Sequence, residues 1–211
     1  KYELKKSDFN LKEINVSVWN GLMFINFDKR CNSLESIYEK LEKRLNKRNF
    51  SSYQFYKRDS YNISCNWKIY MDNYLEGLHI PIVHPELNKT INYKSYKTEI
   101  HDQFSLQWCS IDPQLNPYKN DSSEDLIAYY VTIFPNVILN IAPGRLQTNI
   151  VEPIDEKNCS VHFDYYFEQI DEKQIQKDLD FSDIIQREDI EICESVQASY
   201  EAEGFKNGII S

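Results

Sequence analysis

Residues 66–85, NWKIYMDNYLEGLHIPIVHP, hold two of the chain's four histidines, His79 and His84, and one carboxylate, Glu76, three residues before the first. Two neutral imidazoles and one carboxylate on the same side of Fe(II) leave its other positions open for O2 and substrate. Glu76 and His79 share a face if the stretch is helical, so the carboxylate can hold the imidazole through its second nitrogen. His84 lies five residues beyond His79, about 140° around an ideal helix, so the two rings converge only if the helix breaks between them. Pro81 stands in that interval. Asp72 and Asn73 precede Glu76 by a turn or less and are placed to line the site.

The third ligand must come from elsewhere in the chain. In residues 186–197, QREDIEICESVQ, Asp189 is flanked at helical spacing by Ile185, Ile192, Cys193 and Val196. That puts a carboxylate on the apolar face of a helix. An ionised Asp is costly to bury unless it is paired or binds a metal, which singles out Asp189. Glu188, Glu191 and Glu194 fit the solvent side of the same helix. His101 and His162 fall in strand-like segments and read as structural. Trp67 reads as core.

The elements that must position these residues are legible in outline. Asn20-Gly21 between two alternating runs is a type I′ hairpin signal, with strands near 14–19 and 22–27. Leu34, Ile37, Leu41 and Leu45 mark an amphipathic helix over 33–49, with Asn32 or Ser33 as its cap. A strand over 53–63 precedes the motif, which reads as helix from 67 to 79. Residues 88–123 read as irregular apart from a strand near 103–109, and the polar stretch 112–125 reads as a lid or binding loop. Strands follow at 126–134, 137–141, 146–152 and 161–168, and then a helix over 171–203. The pattern is α+β, one antiparallel sheet curled around helices. Tyr129, Tyr130, Phe163, Tyr165 and Phe167 alternate along strands, where aromatic side chains serve as core or as a box for a cation.

Composition narrows the function. A net charge of −9 argues against nucleic acid as a partner. No apolar run is long enough to span a membrane. Five scattered cysteines with no CxxC or CxH pair predict free thiols in a reducing compartment, with no locally built zinc or iron–sulfur site. The polar opening at Lys1 predicts a cytoplasmic chain, and the missing initiator Met predicts a piece of a longer protein.

The stretch 66–85 resembles the iron-site motif of Rieske non-haem iron oxygenase α subunits. EDIEICESVQ is similar to the segment that supplies their Asp ligand, and VSVWNGLMFINFD to the strand pair that enters their catalytic domain. The likeness spans about residues 14–205 and is nearest the choline, carnitine and glycine-betaine monooxygenase branch. It implies a helix-grip, START-like (Bet v 1-like) single catalytic domain over residues 1–211, with mononuclear Fe(II) held by His79, His84 and Asp189. It also implies that Glu76 is the acid bridging this iron to a neighbouring subunit's cluster in a trimer. O2-dependent hydroxylation or oxidative N- or O-demethylation of a small organic substrate would follow, with electrons from a reductase or ferredoxin. The likeness also implies a homo-trimer or association with a Rieske-bearing chain; the implied [2Fe–2S] cluster finds no ligand set in this chain. Two other readings stay open: a metal-free small-molecule-binding module, and a regulatory module that joins a partner oxygenase. Metal content separates the first of these from the enzyme, and co-purification with a cluster-bearing chain supports the second.

Overall fold

The computed structural model describes residues 10–45, 48–112 and 126–202. The chain divides into two compact units, Lys1–Ser52 and Tyr53–Ser211. In the first, β1 (Asn15–Trp19) and β2 (Leu22–Asn26) form an antiparallel hairpin. Its turn holds Asn20 at φ 51° and Gly21 at φ 83°, the left-handed pair that a type I′ turn requires and that Asn-Gly adopts readily. Helix α1 (Leu34–Arg44) is six residues shorter than the apolar spacing suggests. Ser33 occupies its cap position, but the side chain makes no capping bond. The Trp19 indole is buried, stacks on Tyr38 and donates to Glu42 Oε1 at 2.9 Å.

The second unit is built on a seven-stranded antiparallel sheet. Its strands are β3 (Gln54–Ile63), β4 (Lys97–Ile100), β5 (Phe104–Ser110), β6 (Ile127–Ile133), β7 (Val137–Ala142), β8 (Arg145–Pro153) and β9 (Cys159–Phe167), in the order β3-β9-β8-β7-β6-β5-β4. Each of β5 to β9 pairs with its sequence neighbour, and short turns join β6 to β7, β7 to β8 and β8 to β9. β3 closes onto β9 at one edge.

Three short helices and one long one complete this unit: α2 (Trp67–Tyr74), α3 (Ile80–Val83), α4 (Pro85–Thr90) and α5 (Glu172–Glu201). The stretch expected to be irregular therefore contains α4, a 3₁₀ turn at Tyr93–Ser95, and β4. The loop expected over 112–125 lies, beyond Asp112, outside the described residues.

Helix α5 is 30 residues long, about 45 Å at 1.5 Å per residue. Asp171 caps it by accepting from the amides of Lys173 and Gln174. Ile175, Leu179 and Cys193 of α5 join Tyr70 and Met71 of α2 in a core with Val151, Val161, Phe163 and Tyr165 of the sheet. Two side chains of α5 also hold the chain entering α2. Glu194 accepts from the Ser64 amide and Gln197 from the Asn66 amide, each at 2.9 Å. These bonds set α2 lengthwise against α5, and the register of the site follows from them. Among the described residues no helix is long and apolar enough to cross a membrane.

Candidate metal centre

Helix α2 starts at Asn66, whose side chain caps the Lys68 amide, and it ends at Tyr74 rather than running on to His79. The cause is Glu76. One carboxylate oxygen accepts from the amides of Leu78 and His79, taking donors that a continuing helix would have used. Its other oxygen meets His79 Nδ1 at 2.5 Å, so Glu76 and His79 are paired through a turn and not along a helix face. Gly77 is needed at this corner, because a Cβ there would lie 2.5 Å from the Tyr96 ring.

The break between the histidines also falls elsewhere than expected. Pro81 sits in the first turn of α3, where its missing N–H costs nothing. His84 instead leaves helical geometry, at φ −115° and ψ 73°. The residue before a proline is pushed out of the α region, and Pro85 follows it.

His79 and His84 then face Asp189 of α5. One donor atom from each of the three lies within 4.8 Å of the others. Both imidazoles point Nε2 at the same carboxylate oxygen, His84 at 3.1 Å and His79 at 3.8 Å from Oδ1. Both hold Nδ1 against a carboxylate: Glu76 for His79, and Glu188 at 2.7 Å for His84. A carboxylate can only accept, so each Nδ1 carries a proton, and a metal at the common point would take the Nε2 lone pairs together with the Asp189 oxygen. Carboxylates behind histidines that face a common point are the usual support of a metal site. The donor set of two nitrogens and one oxygen fits Fe(II). His84 is 1% exposed. Burial pushes its pKa down, but the neighbouring Asp189 and Glu188 outweigh this and leave it raised. Asn73 donates to Asp189 Oδ1 at 2.7 Å. Asp72, one residue earlier, is exposed and lines nothing in the site, because successive helical residues point about 100° apart.

Beside the three donors opens a cavity offering about 130 Å³ to the centres of water-sized molecules. Glu76, Asn73, His79, His84 and Asp189 line one side. Tyr74, Tyr96, Tyr130, Phe163 and Phe181 form aromatic walls. Of the alternating aromatics, Tyr130 and Phe163 thus reach the cavity, while Tyr129, Tyr165 and Phe167 serve as core. Burial raises the pKa of Tyr74 and Tyr96, so both hydroxyls are neutral and bond to Asn140 and Gln107.

Glu188, expected at the surface, is half-buried against His84, because the helix turns residues 188 and 189 to either side of that ring. Arg145, Gln147 and Asn149 went unremarked in the sequence, yet they line the cavity as every second residue of β8. Polar residues at period two were the available signal. His101 stacks on Phe104, and His162 bonds Ser60 and Glu152, so both are structural. The single CxxH in the chain, Cys159 to His162, spans opposite faces of β9. Cys159 packs in the core 4.0 Å from Cys65, so this pair forms no half of a cluster site. All five cysteines are free thiols, four of them buried.

A sheet gripping a long helix, with two histidines and an aspartate at the edge of a buried cavity, defines a helix-grip domain able to hold a metal. The chain belongs to the ring hydroxylating alpha subunit (catalytic domain) family, which matches residues 50–211. It is 35% identical over 157 residues to the chloroplastic choline monooxygenase of Arabidopsis thaliana, covering 72% of this chain and 36% of that protein. It is 27% identical over 208 residues to the carnitine monooxygenase oxygenase subunit of Acinetobacter pittii, covering 95% and 56%. A solved quaternary ammonium Rieske monooxygenase in complex with L-carnitine shares the fold, with a TM-score of 0.73 at 24% identity over 91% of this chain and 52% of that one. The chain therefore spans between about a third and just over half of these relatives.

Proposed function

We propose that this chain is the catalytic part of a Rieske-type monooxygenase, with His79, His84 and Asp189 as ligands of a mononuclear Fe(II). The observation that carries the reading is the convergence of both Nε2 atoms on Asp189 with a carboxylate behind each ring. Bound there, Fe(II) would supply O2 activation and the oxidation of a nearby substrate carbon.

The chain's own residues supply the rest. Glu76 and Glu188 fix the tautomer and tilt of the imidazoles. Asn73 holds the Asp189 carboxylate at the oxygen that both histidines face. The aromatic walls exclude water and present ring faces to a cation. We take the substrate to be a small quaternary ammonium compound, since the relatives are named for choline and carnitine. The outcome is hydroxylation, or oxidative demethylation where an N- or O-methyl group faces the metal. Electrons would reach the site from a reductase or ferredoxin through a [2Fe–2S] cluster that this chain does not ligate, in a trimer or on a Rieske-bearing chain. Glu76, half-exposed at the outer side of His79, is placed to take that contact. The whole span 1–211 would serve this one catalytic role. The free thiols fit a reducing compartment, which we read as the cytoplasm, although the plant relatives are chloroplastic.

The test is iron content after anaerobic Fe(II) reconstitution, native against Asp189→Ala. Near one iron per native chain, lost in the variant, supports the ligand set. A native chain without iron overturns it. Choline then tests the substrate class by calorimetry.

A further inference from the structure

The cavity has a second polar end, and its charge is cancelled. Apart from the two histidines, Arg145 is the one basic side chain among the described residues that line it. Its Nε lies 2.5 Å from Asp178 Oδ2 of α5. Arg145 is 6% exposed and Asp178 1%, so water does not screen the pair. Arg145 Nη2 also donates to Gln147 Oε1, which accepts from Ser182 Oγ at 3.2 Å. Gln147 Nε2 donates to Asn149 Oδ1 at 2.7 Å. The guanidinium lies over the Tyr165 ring, 5.6 Å from its centroid. Every one of these contacts holds Arg145 to the protein wall. A buried ion pair is a weak source of stability compared with an apolar pair of the same volume, so its place in the wall of a ligand cavity bears on what may enter.

The same wall offers one unused donor. Gln186 is 2% exposed and lines the cavity one helical turn before Asp189. Its Oε1 accepts from Tyr70 OH at 2.8 Å, and its Nε2 has no hydrogen-bond partner. A buried N–H without an acceptor is costly, and a ligand oxygen would satisfy it.

We propose that the Arg145–Asp178 pair makes this cavity select quaternary ammonium compounds whose far end is an uncharged oxygen, an alcohol, over zwitterions that carry a carboxylate there. The inference rests on the substrate class proposed above and refines it. A carboxylate entering the cavity would lose its hydration, and it would find the only guanidinium already neutralised by Asp178. An alcohol loses far less on desolvation and needs only the amide groups of the wall.

The experiment titrates choline and glycine betaine, which share the trimethylammonium group and differ in alcohol against carboxylate, into the Fe(II)-reconstituted chain under anaerobic conditions. Three proteins are compared by calorimetry: native, Asp178→Asn, and Arg145→Gln/Asp178→Asn. The native chain should bind choline at least about tenfold more tightly than betaine. Asp178→Asn exposes the Arg145 charge and should bring the ratio to about one or reverse it. The double variant is neutral again and should regain the choline preference. Loss of affinity for both ligands alike in Asp178→Asn, with their ratio unchanged, would mark a merely structural pair and overturn the proposal. So would native betaine affinity equal to that for choline, which leaves the quaternary ammonium reading intact. Failure of both ligands to bind the native chain overturns that reading, and this one with it. If Asp178→Asn does not fold, the native ratio and the double variant decide.

Discussion

His79 and His84 come from a chain interrupted at Leu75, at His84 and again after Thr90, whereas Asp189 comes from the middle of an unbroken 30-residue helix. The two regions fix these side chains by different physics. In the first, local chemistry sets position: the Glu76 carboxylate capturing two amides, Gly77 under Tyr96, and Pro85 behind His84. In the second, the phase of a regular helix sets it, and the helix is held in register far from Asp189 by Glu194 and Gln197. A locally built corner is sensitive to the backbone preference of each residue. A helix position tolerates change at its neighbours so long as the buried stripe survives.

Substitutions can break or sharpen this contrast. The largest effect should come from Asp189→Ala, which removes the shared oxygen donor and should take iron from about one per chain to near zero. Glu188→Ala should leave the fold intact and weaken iron about 10–100-fold, since His84 Nδ1 loses the acceptor that fixes its tautomer; a competitive chelator titration measures this. Gly77→Ala tests the corner itself. The added methyl must displace Tyr96 from its bond to Gln107, at a cost of about 1–3 kcal/mol in denaturant unfolding, with weaker choline binding as a second readout. Asn66→Ala removes the α2 cap and should cost about 1 kcal/mol. On the helix, Glu191→Ala at an exposed position should leave iron content and melting temperature unchanged; a loss of iron there would mean that α5 is less autonomous than its regularity suggests.

Much of this architecture was readable in advance. The Asn20-Gly21 hairpin, strands β3 and β5 to β9, and helix α5 all follow from period and punctuation, because their patterns are long or their turns chemically specific. Helix α4 and strand β4 were not readable. Six and four residues carry too little periodicity to stand above a polar stretch, and α4 depends on Pro85 starting a new turn.

The sequence by itself singled out His79, His84 and Asp189 as candidates, and the structure draws them together. Their types, the spacing of the first two, and the apolar neighbours of the third are all local properties. Only the tertiary structure decided that Glu188 faces His84, that Asn73 but not Asp72 reaches Asp189, and that Arg145 meets Asp178 in the wall of the cavity. Each of those depends on the rotation of α5 against α2 or the sheet. That rotation is set by the packing of Tyr70, Met71, Leu179 and Cys193 and by two side-chain bonds more than a hundred residues apart in sequence. A helical pattern gives the buried stripe to within about one residue, or 100°, and that is the whole angular difference between Glu188 and Asp189.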